Sequence, residues 1–208
     1  MHQTRQEITK QLPLPRKGTK YVVRAANHHT VAVPILIAIR DMLHLAENAR
    51  EVKSMIHNKT LKINGRLVRD MHESIKIFNQ IEADKTYVLT LSPTGKFIFN
   101  ERKRSEDKLC KVIGKRMITG GKIQLNLHDG TNIITKEKSI SIGDSLYLDE
   151  KNKVKTHHSL EKGKTVFIIK GKHQGITAKV IDVDGASVTI EYNEERATIV
   201  NDSLVVTN

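Results

Sequence analysis

Leu61-Lys-Ile-Asn-Gly-Arg-Leu-Val-Arg69 reads as two short strands around a two-residue turn, because Asn64 and Gly65 both tolerate the positive φ angles of a type I′ hairpin. That turn pairs Ile63 with Arg66, Lys62 with Leu67 and Leu61 with Val68. Leu61, Ile63 and Val68 then share one face, and Thr60, Lys62, Leu67 and Arg69 share the other. One face packs on helices and the other offers cations. Just upstream, Asn48 is placed as the N-cap of a helix from Ala49 to about His57, with Glu51 at the third helical position and Asn58 suited to the stop. Ala49, Val52 and Ile56 form its apolar side, while Arg50, Lys53 and His57 line a neighbouring strip. Strip and hairpin face together predict a positive groove, unless the strip is only a solvated helix surface.

Moving outward, Pro34 opens another helical pattern, with Ile35, Leu36, Ile39, Met42 and Leu43 on one side. Before it, residues 1–32 are polar and basic, broken by Pro13, Pro15 and Gly18, and are expected to form an extended arm outside any core. After the hairpin, strands are expected at 86–91 and 96–99 around Ser92-Pro-Thr-Gly95. The middle part, 101–155, is expected to be all β, with strands at 109–113, 123–127, 131–135 and 145–148 and a hairpin at Asp129-Gly130. The last part, 156–208, holds strands at 165–169, 176–183, 187–192, 197–200 and 203–206. Five short strands in about fifty residues suit a small SH3-like barrel.

That last part opens with a second basic element, Gly163-Lys-Thr-Val-Phe-Ile-Ile-Lys-Gly-Lys-His-Gln-Gly175, an apolar strand running into a loop of glycines and cations. Glycine lets backbone approach a polyanion and lysine supplies charge. The 208-residue chain carries 35 Lys plus Arg against 23 Asp plus Glu, a net charge of +12 at pH 7, which favours an anionic partner. The charge is banded: seven cations against two anions in residues 1–45, eight against three in 101–122, and one against six in 181–208. Such banding points to nucleic acid more than to simple solubility.

Several function classes find no support. Val31–Ile39, the longest apolar stretch, stops at Arg40, short of a membrane span, and with no secretory signal the expectation is a cytosolic protein. The single cysteine, Cys110, falls in an expected strand and reads as a buried thiol. The adjacent pairs His28-His29 and His157-His158 are poor joint metal ligands, and no phosphate-cradling glycine motif precedes a helix. No catalytic residues, cofactor, metal or small-molecule substrate are therefore expected.

In this order the elements resemble the S-four-e family of small-subunit ribosomal proteins of archaea and eukaryotes. Val33–Ala46 resembles the family's opening helix, and Glu51-Val-Lys with Leu61–Asp70 its RNA-binding hairpin, the alpha-L module. Lys108–Lys115 and Gly120–Gly130 are similar to its central domain, and Gly163–Val180 to its KOW motif. The chain departs from the family in a sparsely basic Met1–Gln11, in Ser74–Ile81, and in Ala178 where a glycine is common. The resemblance implies an α+β, multi-domain fold: helix pair with basic hairpin (33–100), central antiparallel β domain and C-terminal KOW barrel. It also implies a structural constituent of the small ribosomal subunit that binds and helps fold rRNA beside neighbouring ribosomal proteins. The rival is a KOW-type transcription or ribosome-assembly factor that binds RNA transiently. Candidate RNA-binding residues are Arg50, Lys53, Lys59, Lys62, Arg66 and Arg69 in the hairpin module. Lys170, Gly171, Lys172, His173 and Gly175 are the candidates in the barrel loop, and Arg16, Lys17, Lys20 and Arg24 in the arm. The acidic end, including Glu191, Glu194, Glu195 and Asp202, is expected to face solvent or a basic neighbour.

Overall fold

A computed structural model describes residues 1–28, 30–103, 107–149, 152–193 and 195–207. His29 and Glu194, named above, lie outside the described residues. The chain divides into two units, Met1–Glu106 and Asp107–Asn208.

In the first unit, β1 (His2–Thr4) pairs antiparallel with β2 (Tyr21–Val23). The segment between them is folded, contrary to the expected extended arm. Leu12 and Val22 are buried, and the Phe97 N–H donates to the Gln11 carbonyl at 2.8 Å. Arg5 organises the turn that sequence patterning could not show. Its guanidinium donates to the Pro15 carbonyl (2.6 Å), the Thr19 carbonyl (2.7 Å) and Thr19 Oγ1 (3.2 Å), replacing a regular ladder.

After β3 (Val33–Pro34), helix α1 (Ile35–Ile37) passes directly into a wider π-wound stretch, Ala38–Met42. The Leu43 N–H reaches back to the Ala38 carbonyl at 2.9 Å, five residues away. Residues 35 to 39 are all buried, so this segment is apolar on every side rather than on one stripe. The second helix, α2 (Ala49–His57), stands where the sequence places it. Asn48 Oδ1 accepts from the N–H groups of Arg50 and Glu51, each at 3.0 Å, and Glu51 Oε2 accepts from the Glu47 N–H at 2.7 Å. The helix stops at the expected Asn58, its C-cap, and Lys59, the next residue, takes the left-handed position, φ +57°. Lys59 and Thr60 donate to the carbonyls of Ile56 and Met55 at 3.0 and 3.1 Å, a Schellman closure built on lysine instead of glycine.

The hairpin follows as β4 (Lys62–Ile63) and β5 (Arg66–Leu67), with Asn64 at φ +50° and Gly65 at +77°. Its register is the predicted one, Lys62 opposite Leu67 and Ile63 opposite Arg66, and Leu61, Ile63 and Val68 are buried. Two further strands were not anticipated: β6 (Ser74–Ile75), which pairs with β3, and β7 (Gln80–Glu82). β7, with β8 (Thr86–Leu91) and β9 (Phe97–Arg102), completes an antiparallel sheet of order β5-β4-β7-β8-β9, and β6 stays in the two-stranded sheet with β3. β7 sits at its centre because Asn64 exchanges backbone with Gln80, its N–H donating to the Gln80 carbonyl and its Oδ1 accepting the Gln80 N–H, both at 2.9 Å.

The second unit holds two antiparallel sheets. The first comprises β10 (Lys108–Ile118), β11 (Lys122–Leu127), β12 (Asn132–Thr135), β13 (Ser145–Leu148) and β14 (Val154–His158), in order β12-β11-β10-β13-β14. β10 runs well past the expected residue 113 because a bulge between Val112 and Gly114 lets the strand continue, Gly114 lying against the Asn126 side chain. β14 belongs to this sheet, which therefore extends to His158, beyond the expected end of the middle part. Cys110, Val112, Leu125, Leu127, Leu146 and Leu148 are among its core side chains.

The other sheet comprises β15 (Thr165–Ile168), β16 (Thr177–Asp184), β17 (Ser187–Tyr192), β18 (Glu195–Val200) and, after a 3₁₀ turn at Asn201–Ser203, β19 (Leu204–Val206). Its order is β18-β17-β16-β15-β19, over a core that includes Val166, Ile168, Val180, Val188, Ile190 and Val206. Lys111 ties the two sheets together. Only 2% exposed, it donates to the carbonyls of Asn201 (2.5 Å) and Leu204 (2.6 Å) and to Asn201 Oδ1 (3.2 Å).

Candidate nucleic-acid interface

α2 and the strand leaving the hairpin flank an open groove of about 720 Å³. Lys53 reaches it from the helix, Lys59 from the helix stop, and Arg66 and Arg69 from the hairpin, with His57 beside them. Asp70 is the one acid among the described residues that line it. Four of the six candidates from this region are thus brought to one surface. The other two are not: Arg50 is exposed elsewhere on α2, and Lys62 faces the Glu82 carboxylate, 3.9 Å away across the β4–β7 ladder.

Two features of the groove escaped the sequence. Lys59 holds a left-handed backbone that glycine or asparagine adopts more readily, so its ammonium is presented at some conformational cost. Glu73 clamps the hairpin, accepting from Arg66 Nη2 at 2.5 Å and from the Arg69 N–H at 2.7 Å. Arg66 remains 63% exposed, so the clamp orients it without hiding it. An acid seven residues beyond Arg66, in an irregular loop, carries no periodic signal.

Between β15 and β16 the glycine and cation loop presents Lys170 and Lys172 to solvent. Gly171 takes φ +97°, a conformation side chains resist. Gly175 is buried and donates to the Ile168 carbonyl at 2.8 Å, closing the loop. His173 is half-buried against Tyr192, ring centroids 5.6 Å apart, and so supports the loop more than it faces outward. Burial pushes the Lys111 ammonium down to about 8, opposed by Asp202 and reinforced by Lys170.

In the N-terminal segment Arg16, Lys17 and Lys20 are exposed, whereas Arg24 is half-buried with its carbonyl accepting from His72 Nδ1 at 3.1 Å. Cys110 is fully buried, and burial pushes its thiol up to about 12, so it is no nucleophile.

Comparison with known proteins decides what kind of molecule this is. The model of ribosomal family S4e matches residues 83–154, covering β8, β9 and most of the central sheet. Small ribosomal subunit protein eS4 of Methanocaldococcus jannaschii is 32% identical over 82% of this chain and 76% of its own. The eS4 protein of Archaeoglobus fulgidus is 30% identical over 99% of this chain and 92% of its own. The chain belongs to the S4e family of ribosomal proteins. Members of this family are structural components of the small ribosomal subunit, not enzymes. The S4e fold also matches: the crystal structure of 30S ribosomal protein S4e from Thermoplasma acidophilum superposes with a TM-score of 0.72, at 26% identity, over 84% of this chain and 94% of that one. Multiple antiparallel sheets with few helices are therefore the architecture of this S4e chain.

Proposed function

We propose that this S4e chain is a structural constituent of the small ribosomal subunit that binds rRNA and helps it fold, in the cytoplasm and beside neighbouring ribosomal proteins. The observation that carries this is the groove between α2 and the hairpin. Four Lys/Arg side chains from two rigid elements converge there, with Asp70 the one acid among the described lining residues and Glu73 pairing Arg66 from outside the groove. Folded rRNA crowds phosphates, and cations fixed in advance offset that repulsion and release condensed counterions. Arg66 and Arg69 suit forked phosphate contacts, Lys53 and Lys59 act as point charges, and Arg50 and Lys62 contribute longer-range field.

The helix-then-hairpin order of α2, β4 and β5 supports an alpha-L module within residues 33–100. A five-strand meander whose last strand returns beside its first after a 3₁₀ turn supports an SH3-like KOW barrel in the part expected at 156–208, beginning after His158 because β14 belongs to the central domain before it, with a basic segment at 1–32. In that barrel Lys170 and Lys172 contact phosphate, Gly171 and Gly175 permit close backbone approach, and His173 braces the loop. Arg16, Lys17, Lys20 and Arg24 add contacts from the N-terminal segment. The acidic stretch with Asp182, Glu191, Glu195 and Asp202 faces solvent or a basic neighbour.

Sedimentation tests the proposal. A constituent stays stoichiometric with purified small subunits through a high-salt wash, and quantitative release into the supernatant would refute it.

A further inference from the structure

A second cleft, of about 810 Å³, is built into the N-terminal segment itself. Arg5, Lys10, Arg16, Lys20 and Lys96 all line it, and no Asp or Glu is among the described lining residues. Its walls also carry Ile8, Leu14 and Pro15, so the cleft is cationic and apolar together. Arg5 is fixed: its donors reach backbone and hydroxyl oxygens of Pro15 and Thr19, and among the described residues its guanidinium has no carboxylate partner. Gly18, at φ +146°, lets the loop close on that guanidinium, since a Cβ there would lie 2.8 Å from Arg5 Nη2. The side chains of Lys10, Arg16 and Lys96 form no ion pair among the described residues.

A neighbouring notch shares the Arg5, Leu14, Pro15 and Thr19 walls and adds Tyr21, together with Asp41, whose carboxylate is neutralised by Arg40 at 2.9 Å. This tyrosine is 51% exposed yet held in place: the His2 ring packs edge-on with centroids 4.9 Å apart, and the Lys20 ammonium sits 5.4 Å from the ring centre. A half-exposed, rigid aromatic ring beside cations suits an unstacked base with its phosphate, the Lys20 ammonium moving from the ring to the phosphate as the base arrives. A base inside a duplex keeps its faces covered and has no use for the ring or for apolar walls. The volume falls within the range of small-ligand sites.

We propose that this cleft and the notch beside it together seat one unpaired nucleotide of single-stranded RNA, its phosphate in the cleft among Lys10, Arg16 and Lys20 and its base in the notch on Tyr21 against the shared Leu14–Pro15 wall. This rests on the rRNA-binding function proposed above and adds a site that reads strandedness, separate from the hairpin groove.

The test uses the full chain, a mixed-sequence single-stranded RNA octamer and a blunt RNA duplex, with binding followed by amide NMR shifts and by fluorescence anisotropy. The octamer should shift resonances of Thr4–Tyr21. Tyr21→Ala, and separately Lys10→Ala with Arg16→Ala, should weaken it at least about fivefold, with Tyr21→Phe restoring it and duplex affinity unchanged. Octamer shifts confined to Lys53–Arg69, wild-type affinity in both variants, or equal displacement by inorganic phosphate would each overturn the proposal. Failure of the wild-type chain to bind rRNA fragments at all would instead strike the hairpin groove, so the two failures are distinguishable.

Discussion

Lys111 gives the sharpest physical test of how the second unit is held together. Its ammonium is 2% exposed and satisfied by three oxygens of Asn201 and Leu204, yet burial pushes its pKa from 10.5 down to about 8. Below pH 8 both folded and unfolded chains carry the proton, and the folded state bears the desolvation cost, on the order of 3 kcal/mol at about 1.4 kcal/mol per pKa unit. Between pH 8 and 10.5 the unfolded state binds more protons than the folded one, so stability rises with pH there. Cys110 works in the opposite direction: burial pushes its thiol up to about 12, above its ordinary value, so its contribution falls once the unfolded thiol ionises. The net expectation is a rise of about 1 kcal/mol from pH 8 to 9 and a plateau above it. Cys110→Ala should extend the rise towards pH 10.5. Lys111→Met should abolish it and, by orphaning buried carbonyls, lower stability at pH 7 by about 2 kcal/mol. Urea titrations from pH 7 to 10, followed through the methyl resonances of Ile123 and Ile168, isolate this unit from the other. A wild-type stability that is flat or falling between pH 8 and 9, or a rise that persists in Lys111→Met, would refute the reasoning.

Within the hairpin groove, Lys53→Ala with Arg69→Ala should weaken rRNA-fragment binding and reduce the slope of log affinity against log salt by about 1.5 to 2, whereas Lys62→Ala, opposite Glu82, should change it less. Filter binding across a salt series measures both. Lys59→Gly removes left-handed strain at the α2 stop, so thermal stability should rise by a few tenths to about 1 kcal/mol while RNA affinity falls. Glu73→Gln removes the carboxylate charge and leaves one acceptor oxygen for two donors, so either the Arg66 or the Arg69 arm of the clamp is lost. Stability should drop by about 1 kcal/mol in urea melts, and the Arg66 side-chain NMR signal should broaden. Gly171→Val forces a β-branched residue onto φ +97°; subunit incorporation of this variant should fall, and normal incorporation would make the loop peripheral.

What the sequence reveals and hides follows from the range of the interactions involved. Asn48, Asn64-Gly65 and Asp129-Gly130 act on backbone within a few residues, and the helix and hairpins they specify stand where patterning puts them. β6 and β7 are two and three residues long, too short to display a period, and exist because β3, paired Val33 to Ile75 and Pro34 to Ser74, and Asn64, bonded to Gln80, reach them from far along the chain. The folded N-terminal segment is hidden for a similar reason. Its organiser is one arginine bonding to carbonyls 10 and 14 residues distant, and no hydrophobic alternation announces that.

Charge counting shows a deeper limit, and it redirects where RNA contact belongs. The cation-rich stretch 101–122 looks outward-facing as a sum, but its members do different jobs. Lys108 is buried in an ion pair with Asp129, which Thr131 also supports. Lys111 is spent on Asn201 and Leu204, and Lys115 donates to the carbonyls of Lys138 and Ile140 at 2.8 and 2.6 Å. A cation whose donors are taken up by backbone oxygens stabilises its own fold and has fewer left for phosphate. In residues 1–24 and 50–69 the balance reverses: Lys10, Arg16, Lys53 and Lys59 keep their ammonium and guanidinium groups unpaired among the described residues while the backbone beneath them is fixed by Arg5, by the Asn48 cap and by the Schellman closure. Pre-paid ordering of the scaffold with unspent charge on its surface is the combination that lowers the entropic cost of holding RNA. The proposed RNA interface therefore fits the first unit's two clefts better than the band of highest charge density.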